Sequence, residues 1–436
     1  MKSTAIFRST IKSSIAMRVL TVCFTSLLLV PALLAAEPTV YLTKTPDARA
    51  TALKSSPWID LIKREIPPLK HKPKGHLPMI MWHGVGFEPL GKQPLKVLRD
   101  RGLCQHLQLS DHMIPAAKAL QREKMPVILM EGRTDHWPYS LAKDPTHWPH
   151  DFDATYLRTR YAQEESDSQW HGACLLRTAG WKVLEKNTRE TLTKFRDAGV
   201  QVDAVLVDYE GDPYPWSHLF EQIKHCKRCR KELPTEIIHD KSAWRTFCWK
   251  QYLDLYDQHF AKAVREVFPD CLVTNWHVVY SGQVVPVRYF VRDVQLPFLQ
   301  PKFFNATNPI AYGSDLVWHE QWNPGHNITR KSVDDFYAFQ IKHQVMADRK
   351  NRLAVNAEKV RSIPWVARVC RINIDDQRPL PVMSRSEYRK TLVELWQQER
   401  VHSMQIFNPM QDGYEELALT EVQDAVAAYD AMLSQD

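Results

Sequence analysis

The run "VLVDYEGDPYPW", residues 205–216, is an apolar, strand-like stretch that delivers two carboxylates, Asp208 and Glu210, into an aromatic loop. An ordinary core strand has no use for them, because burying an unpaired carboxylate is costly. Residues two apart on a strand face the same way, so Asp208 and Glu210 are expected side by side, with Tyr209 on the opposite face. Two neighbouring carboxylates each raise the other's proton affinity. The one that keeps its proton near neutral pH becomes a general acid able to protonate a departing oxygen. That is the chemistry of glycosidic bond cleavage, where a proton donor and a second carboxylate or equivalent act together.

Such a pair must be positioned by a scaffold. After a polar, Pro-rich lead, "REIPPLKHKPKGHLP", the chain repeats a rhythm of short apolar strand, loop and amphipathic helix. Strands are expected at 77–84, 104–110, 126–132, 203–210, 271–279, around "IAYGSDLVW", at 363–370 and at 403–409. Helices are expected near 94–101, 114–123, 179–198, 242–267, 332–348, 384–400 and 420–433, the third stopping at Gly199 as a C-terminal glycine does. Strands buried on both faces read as continuous apolar runs, and parallel strands need helical crossovers. The pattern predicts an α/β fold, a (β/α)₈ TIM-like barrel with long loop insertions. The alternative, a doubly wound open sheet, would carry a nucleotide loop after its first strand, and "MWHGVGFEPLG" lacks the G-x-G-x-x-G spacing.

"DAVLVDYE" resembles the catalytic strand of family 18 chitinases, whose pattern D-x-x-D-x-D-x-E ends the fourth barrel strand. Asp203, Asp208 and Glu210 match three of its four acidic positions, and Leu206 occupies the remaining one. Hyaluronidase-type enzymes carry only the final D-x-E, with which Leu206 is compatible. The resemblance implies Glu210 as general acid/base. It implies Asp208 as the carboxylate orienting a substrate N-acetyl group that acts as internal nucleophile. Its substrate would be a poly- or oligosaccharide containing N-acetylhexosamine. Tyr312 and Asp315 lie in "IAYGSD", faintly similar to the M-x-Y-D of chitinases but differently spaced.

In a barrel, catalytic groups sit where the strands end at their C-terminal side. The other strand ends therefore supply candidate substrate contacts: Trp82 and His83 after the first, Glu131 and Arg133 after the third, and Asn275, Trp276 and His277 on the fifth. Tyr312 and Asp315 belong to the sixth, Arg368 to the seventh and Asn408 to the eighth, with Tyr214 and Trp216 in the loop after the carboxylates. Glu131 is also a rival second carboxylate, which facing Glu210 would act as nucleophile or base. Loop aromatics such as Trp137, Trp148, Trp170, Trp318 and Trp322 either cover sugar faces or pack loops onto the rim.

Residues 1–36 carry Lys2, Arg8, Lys12 and Arg18, no acid, and an apolar run ending in Ala35–Ala36. This predicts a cleavable secretory signal, a secreted or periplasmic chain, a lead segment 37–76 and a barrel over 77–436. As a membrane span the run is short and broken by Pro31. Without those residues the chain has 53 basic and 50 acidic side chains, interleaved, with no dense basic tract to suggest nucleic acid. A monomer with a carbohydrate partner, no cofactor and no metal is expected. Cys226 and Cys229 in "HCKRCRKE" read as a structural disulfide or local staple; half a zinc site or a redox pair are the alternatives. Two other function classes stay open. One is a carbohydrate-binding barrel that has lost turnover. The other is a metal-dependent hydrolase, against which stands the lack of H-x-H on the first strand and of H-E-x-x-H anywhere.

Overall fold

Apolar runs rich in Val, Ile, Leu and Met form parallel strands because each is covered on both faces, by the barrel interior and by helices. The computed structural model describes residues 41–73, 75–82, 90–131, 176, 178–207, 220, 227–277, 302–315, 331, 333–339, 341–342, 345, 360–370, 382–398, 401–407 and 412–435. The strands are β1 (Met79–Met81), β2 (Leu103–Gln105 and Leu107–Gln108), β3 (Ile128–Glu131) and β4 (Ala204–Val207). They continue with β5 (Leu272–His277), β6 (Ala306–Asp315), β7 (Arg361–Ser362 and Trp365–Cys370) and β8 (Gln405–Ile406). Each pairs in parallel with its sequence neighbours. β1 also pairs with β8, through Ile80↔Gln405 and Met81↔Ile406. β2 hydrogen-bonds β1 before His106 and β3 after it, so the sheet closes.

The register measures the stagger of that closure. Followed once round from Ile80, it returns to β8 at position 397, eight residues before Gln405, the residue Ile80 itself pairs. Eight strands with a shear of eight define the (β/α)₈ barrel. The expected fold class is borne out.

The helices are α1 (Asp47–Lys54), α2 (Trp58–Glu65), α3 (Lys92–Arg99), α4 (Ile114–Arg122), α5 (Ala179–Asp197), α6 (Lys227–Glu232) and α7 (Thr235–His239). They are followed by α8 (Lys241–Tyr256), α9 (Lys262–Val267), α10 (Arg385–Gln398) and α11 (Glu415–Leu433). Their ends follow local chemistry. Pro115 occupies the first turn of α4. Ser384 accepts the Glu387 N–H at 3.2 Å to open α10. Gly199, at φ +76°, closes α5 as its sequence predicts.

The lead segment carries two helices, with Leu53, Leu61 and Ile62 buried, and Pro46 and Pro57 standing directly before α1 and α2. Two later elements differ from expectation. The expected helix 242–267 is divided between α8 and α9 by a π-helical turn, Asp257–Ala261. There Asp257 receives the backbone N–H groups of Lys302, Phe303 and Phe304 at 2.8, 2.9 and 2.9 Å, a demand made by a distant segment that periodicity does not report. The last helix begins at Glu415, five residues earlier than expected, because Lys54 pairs with buried Glu415 and Arg49 with Glu416. Among the described residues no helix is long and apolar enough to cross a membrane.

Candidate active site

Alternation and shear together assign the barrel interior. At constant height the residue shifts by one per strand, so even-numbered and odd-numbered strands contribute alternate layers of four. The lowest such layer is small: Cys104, Ala204, Ala306 and Ser403. Two residues higher lie His106, Leu206, Asn308 and Gln405, all buried. Their placement in one layer is confirmed by a contact across β7: Gln405 Nε2 donates to Asn308 Oδ1 at 2.8 Å. The odd strands supply the layer above, Trp82, Met130 and Trp365, by register.

This aromatic layer is packed in fact as well as by register. Trp82 lies parallel to the His106 ring, with centroids 4.9 Å apart and an interplanar angle of 13°, and meets Trp365 at 4.7 Å. Trp365 continues to Phe407 at 6.0 Å, the first residue past β8. His106 Nδ1 lies 3.1 Å from the Met81 carbonyl, which fixes its ring by an N–H donated to that oxygen. Thr274, one layer below Asn308, is also buried. Four buried atoms here have no partner among the described residues: Asn308 Nδ2, Gln405 Oε1, Thr274 Oγ1 and Trp365 Nε1. Native interiors rarely leave such groups unsatisfied.

β4 is described through Val207, so Asp208 and Glu210 lie outside the described residues, as do His83, Arg133, Tyr214, Trp216 and Asn408. The loop aromatics Trp137, Trp148, Trp170, Trp318 and Trp322 lie outside them too, as does Cys226. Trp82 stands in the interior, and the backbones of Trp276 and Tyr312 lie in register with Asn308 and Ala367. The backbones of Glu131 and Asn275 lie in register with Val207, His277 with Pro309 and Asp315 with Cys370.

Arg368 is a correction. Expected at the substrate end of β7, it is buried on the helical side, facing Glu421 and Asp424 of α11 and Tyr388 of α10. Residue 368 alternates with Trp365 and Ala367, and its guanidinium there attracts the buried Glu421 and Asp424 carboxylates. Burial pushes the Glu421 carboxyl up to about 8 despite that guanidinium. Asp203, the first acidic position of the motif, also has a structural task. Its Oδ2 accepts the Val127 N–H at 2.8 Å, tying β4 to β3 at their start, and burial raises its pKa.

Sequence reasoning missed Asn308, Gln405, His106 and Trp365. The available signal was a polar residue within an otherwise apolar strand: "TNPIAYG", "SMQIF" and "CQHLQL" each carry one or more. Among the described residues no three His, Cys, Asp or Glu side chains group as metal ligands do. Cys104 and Cys271 are buried free thiols whose pKa values burial raises well above the usual range.

No family model matches this chain, and no curated protein does. Solved structures do. A β-galactosidase from the haloarchaeon Halorubrum lacusprofundi superposes with a TM-score of 0.45 at 12% identity, over 83% of this chain and 58% of its own. The glycoside hydrolase domain of PgaB (BpsB) from Bordetella bronchiseptica gives 0.43 at 11% identity, over 84% of this chain and 100% of its own. Bee venom hyaluronidase gives 0.34 at 12%, over 56% and 77%. The neighbours are glycoside hydrolases. The chain spans a little over half the length of the β-galactosidase, and scores this low leave the fold to rest on the register itself.

Proposed function

We propose that this chain is an exported glycoside hydrolase cleaving a poly- or oligosaccharide, with Glu210 as general acid/base and Asp208 as orienting carboxylate. The observation that carries the reading is the inward alternation of β4. Leu206 is an interior residue of β4, and in the sequence Asp208 and Glu210 follow it at the two-residue spacing of a strand, so the reading takes both as inward at the end where barrel enzymes keep their chemistry. The rings of Trp82 and Trp365 in the barrel interior support it, since flat rings suit the apolar faces of sugars.

In this reading the Glu210 proton passes to the glycosidic oxygen as the C1–O bond breaks. The substrate's N-acetyl oxygen closes on C1, held by Asp208. Water then opens that ring, returning a proton to Glu210. An N-acetylhexosamine-containing substrate is therefore the class the resemblance favours.

The test is reducing-end release from a panel including chito-oligosaccharides, hyaluronan and poly-N-acetylglucosamine. Wild type should cleave one of them, and Glu210→Gln should lose about 10²–10⁴ in rate while still binding it. A wild-type protein that binds a glycan and cleaves none would replace this reading with the carbohydrate-binding one, and loss of activity to chelators would favour a metal-dependent hydrolase.

A further inference from the structure

The outer face of β7 carries a cation with no paired counter-ion among the described residues. Arg368 is 8% exposed, and an arginine does not shed its charge when buried. The charged and titratable groups around it are Arg385 and Tyr388 of α10 and Glu421 and Asp424 of α11. Neither carboxylate forms an ion pair with it, because each is engaged elsewhere. Asp424 is gripped by Arg385, at 2.8 Å from Nε and 2.9 Å from Nη2, and by Arg389 at 3.5 Å. Glu421 Oε1 accepts the Val369 N–H at 2.9 Å.

Two buried donors in this cluster are unspent. Arg368 Nε–H and the hydroxyl of Tyr388, a fully buried side chain, have no hydrogen-bond partner. Native interiors rarely orphan such groups, least of all charged ones. Because burial pushes the Glu421 carboxyl up to about 8, the cluster near neutrality sets the guanidinium groups of Arg368, Arg385 and Arg389 against the single charge of Asp424. That balance excludes a cation as ligand and favours an anion. The enclosure sets its size: with Tyr388, Glu421 and Asp424 at most 1% exposed, only a small ion suits the place.

We propose that Arg368 and Tyr388 bind a chloride-sized monovalent anion between β7 and the helices α10 and α11, the ion accepting Arg368 Nε–H and the tyrosine O–H. Such an ion ties the helical layer to the strand whose other face sends Trp365 into the barrel interior. The site lies on the opposite side of β7 from that interior and does not depend on the carbohydrate reading.

The experiment is urea unfolding in sodium chloride against sodium gluconate at equal ionic strength, so that screening is the same and only chloride is small enough to enter. Wild type should unfold at higher urea in chloride, the rise growing with the logarithm of chloride concentration once the site fills. Line broadening of ³⁵Cl NMR by the folded protein reads the same binding directly. Tyr388→Phe deletes one hydrogen bond to the ion and leaves no orphan, so chloride should bind about tenfold more weakly or worse. Arg368→Met should abolish the chloride effect in both readouts. Glu421 faces Arg368, Tyr388 and Asp424, and once ionised it competes with the bound anion for Arg368. Chloride affinity should therefore fall about tenfold between about pH 6 and about pH 9 in wild type and hold steady in Glu421→Gln. Equal midpoints in the two salts, with no chloride broadening in wild type, overturn the proposal. So does a chloride effect that survives undiminished in Arg368→Met or, should that variant fail to fold, in Tyr388→Phe.

Discussion

Removing the Asp257 carboxylate should unfasten the approach to β6. Asp257 is 4% exposed and accepts three successive backbone N–H groups, from Lys302, Phe303 and Phe304. Hydrogen bonds to a charged acceptor contribute about 1.5–3 kcal/mol, and an orphaned buried N–H costs about 1–3. Phe304 is buried and cannot recover its bond from water, whereas Lys302 is exposed and can. Asp257→Ala should therefore cost about 4 kcal/mol, and Asp257→Asn, which keeps one acceptor oxygen, about half that. With a urea m-value of about 3 kcal/mol/M or more for a chain this long, the alanine variant's midpoint falls by about 1 M. Urea unfolding followed by tryptophan fluorescence measures it. A loss below about 1 kcal/mol, or equal losses for Ala and Asn, would refute the assignment of three working hydrogen bonds.

Further outcomes follow from other contacts. Native Glu421 keeps its proton to about pH 8, whereas in the unfolded chain it loses it near the ordinary value of 4.5. The native state thus binds more protons across that window, and this group's contribution to stability falls as pH rises through it. Denaturation midpoints from pH 5 to 8 should decline more steeply in wild type than in Glu421→Gln; parallel curves contradict this. A Cβ at Gly102, where φ is +66°, would stand 2.6 Å from Cε1 of the fully buried Tyr429 ring. Gly102→Ala should lose about 2–4 kcal/mol, with part of it restored by Tyr429→Leu; no loss in urea midpoint would show that the ring can move. Trp82→Ala removes the ring packed between His106 and Trp365 and should cost about 3–5 kcal/mol, again by urea midpoint.

The barrel was legible because its strands are apolar enough to be seen singly and Gly199 closes α5 where the pattern says. β8 shows the limit. "SMQIFNP" predicts seven residues of strand, yet among the described residues the ladder holds Gln405 and Ile406, since neighbours on both sides decide where pairing stops. The π turn at Asp257 was invisible for a related reason, its partners lying more than forty residues away. Arg368 looked like a strand-end ligand because sequence gives a residue's place along the strand; which face it takes emerged only from the register, and with it the carboxylates of α11. Asn308 and Gln405 are 97 positions apart and meaningful only as a pair, and that pairing is a product of the shear.

The most direct test of Glu210 as proton donor compares two leaving groups on one sugar. In Glu210→Gln, cleavage of the natural glycan should fall by about 10³, because its departing oxygen needs a proton. The nitrophenyl glycoside of the same sugar, whose phenolate leaves without one, should lose far less. Equal losses on both substrates would contradict the account.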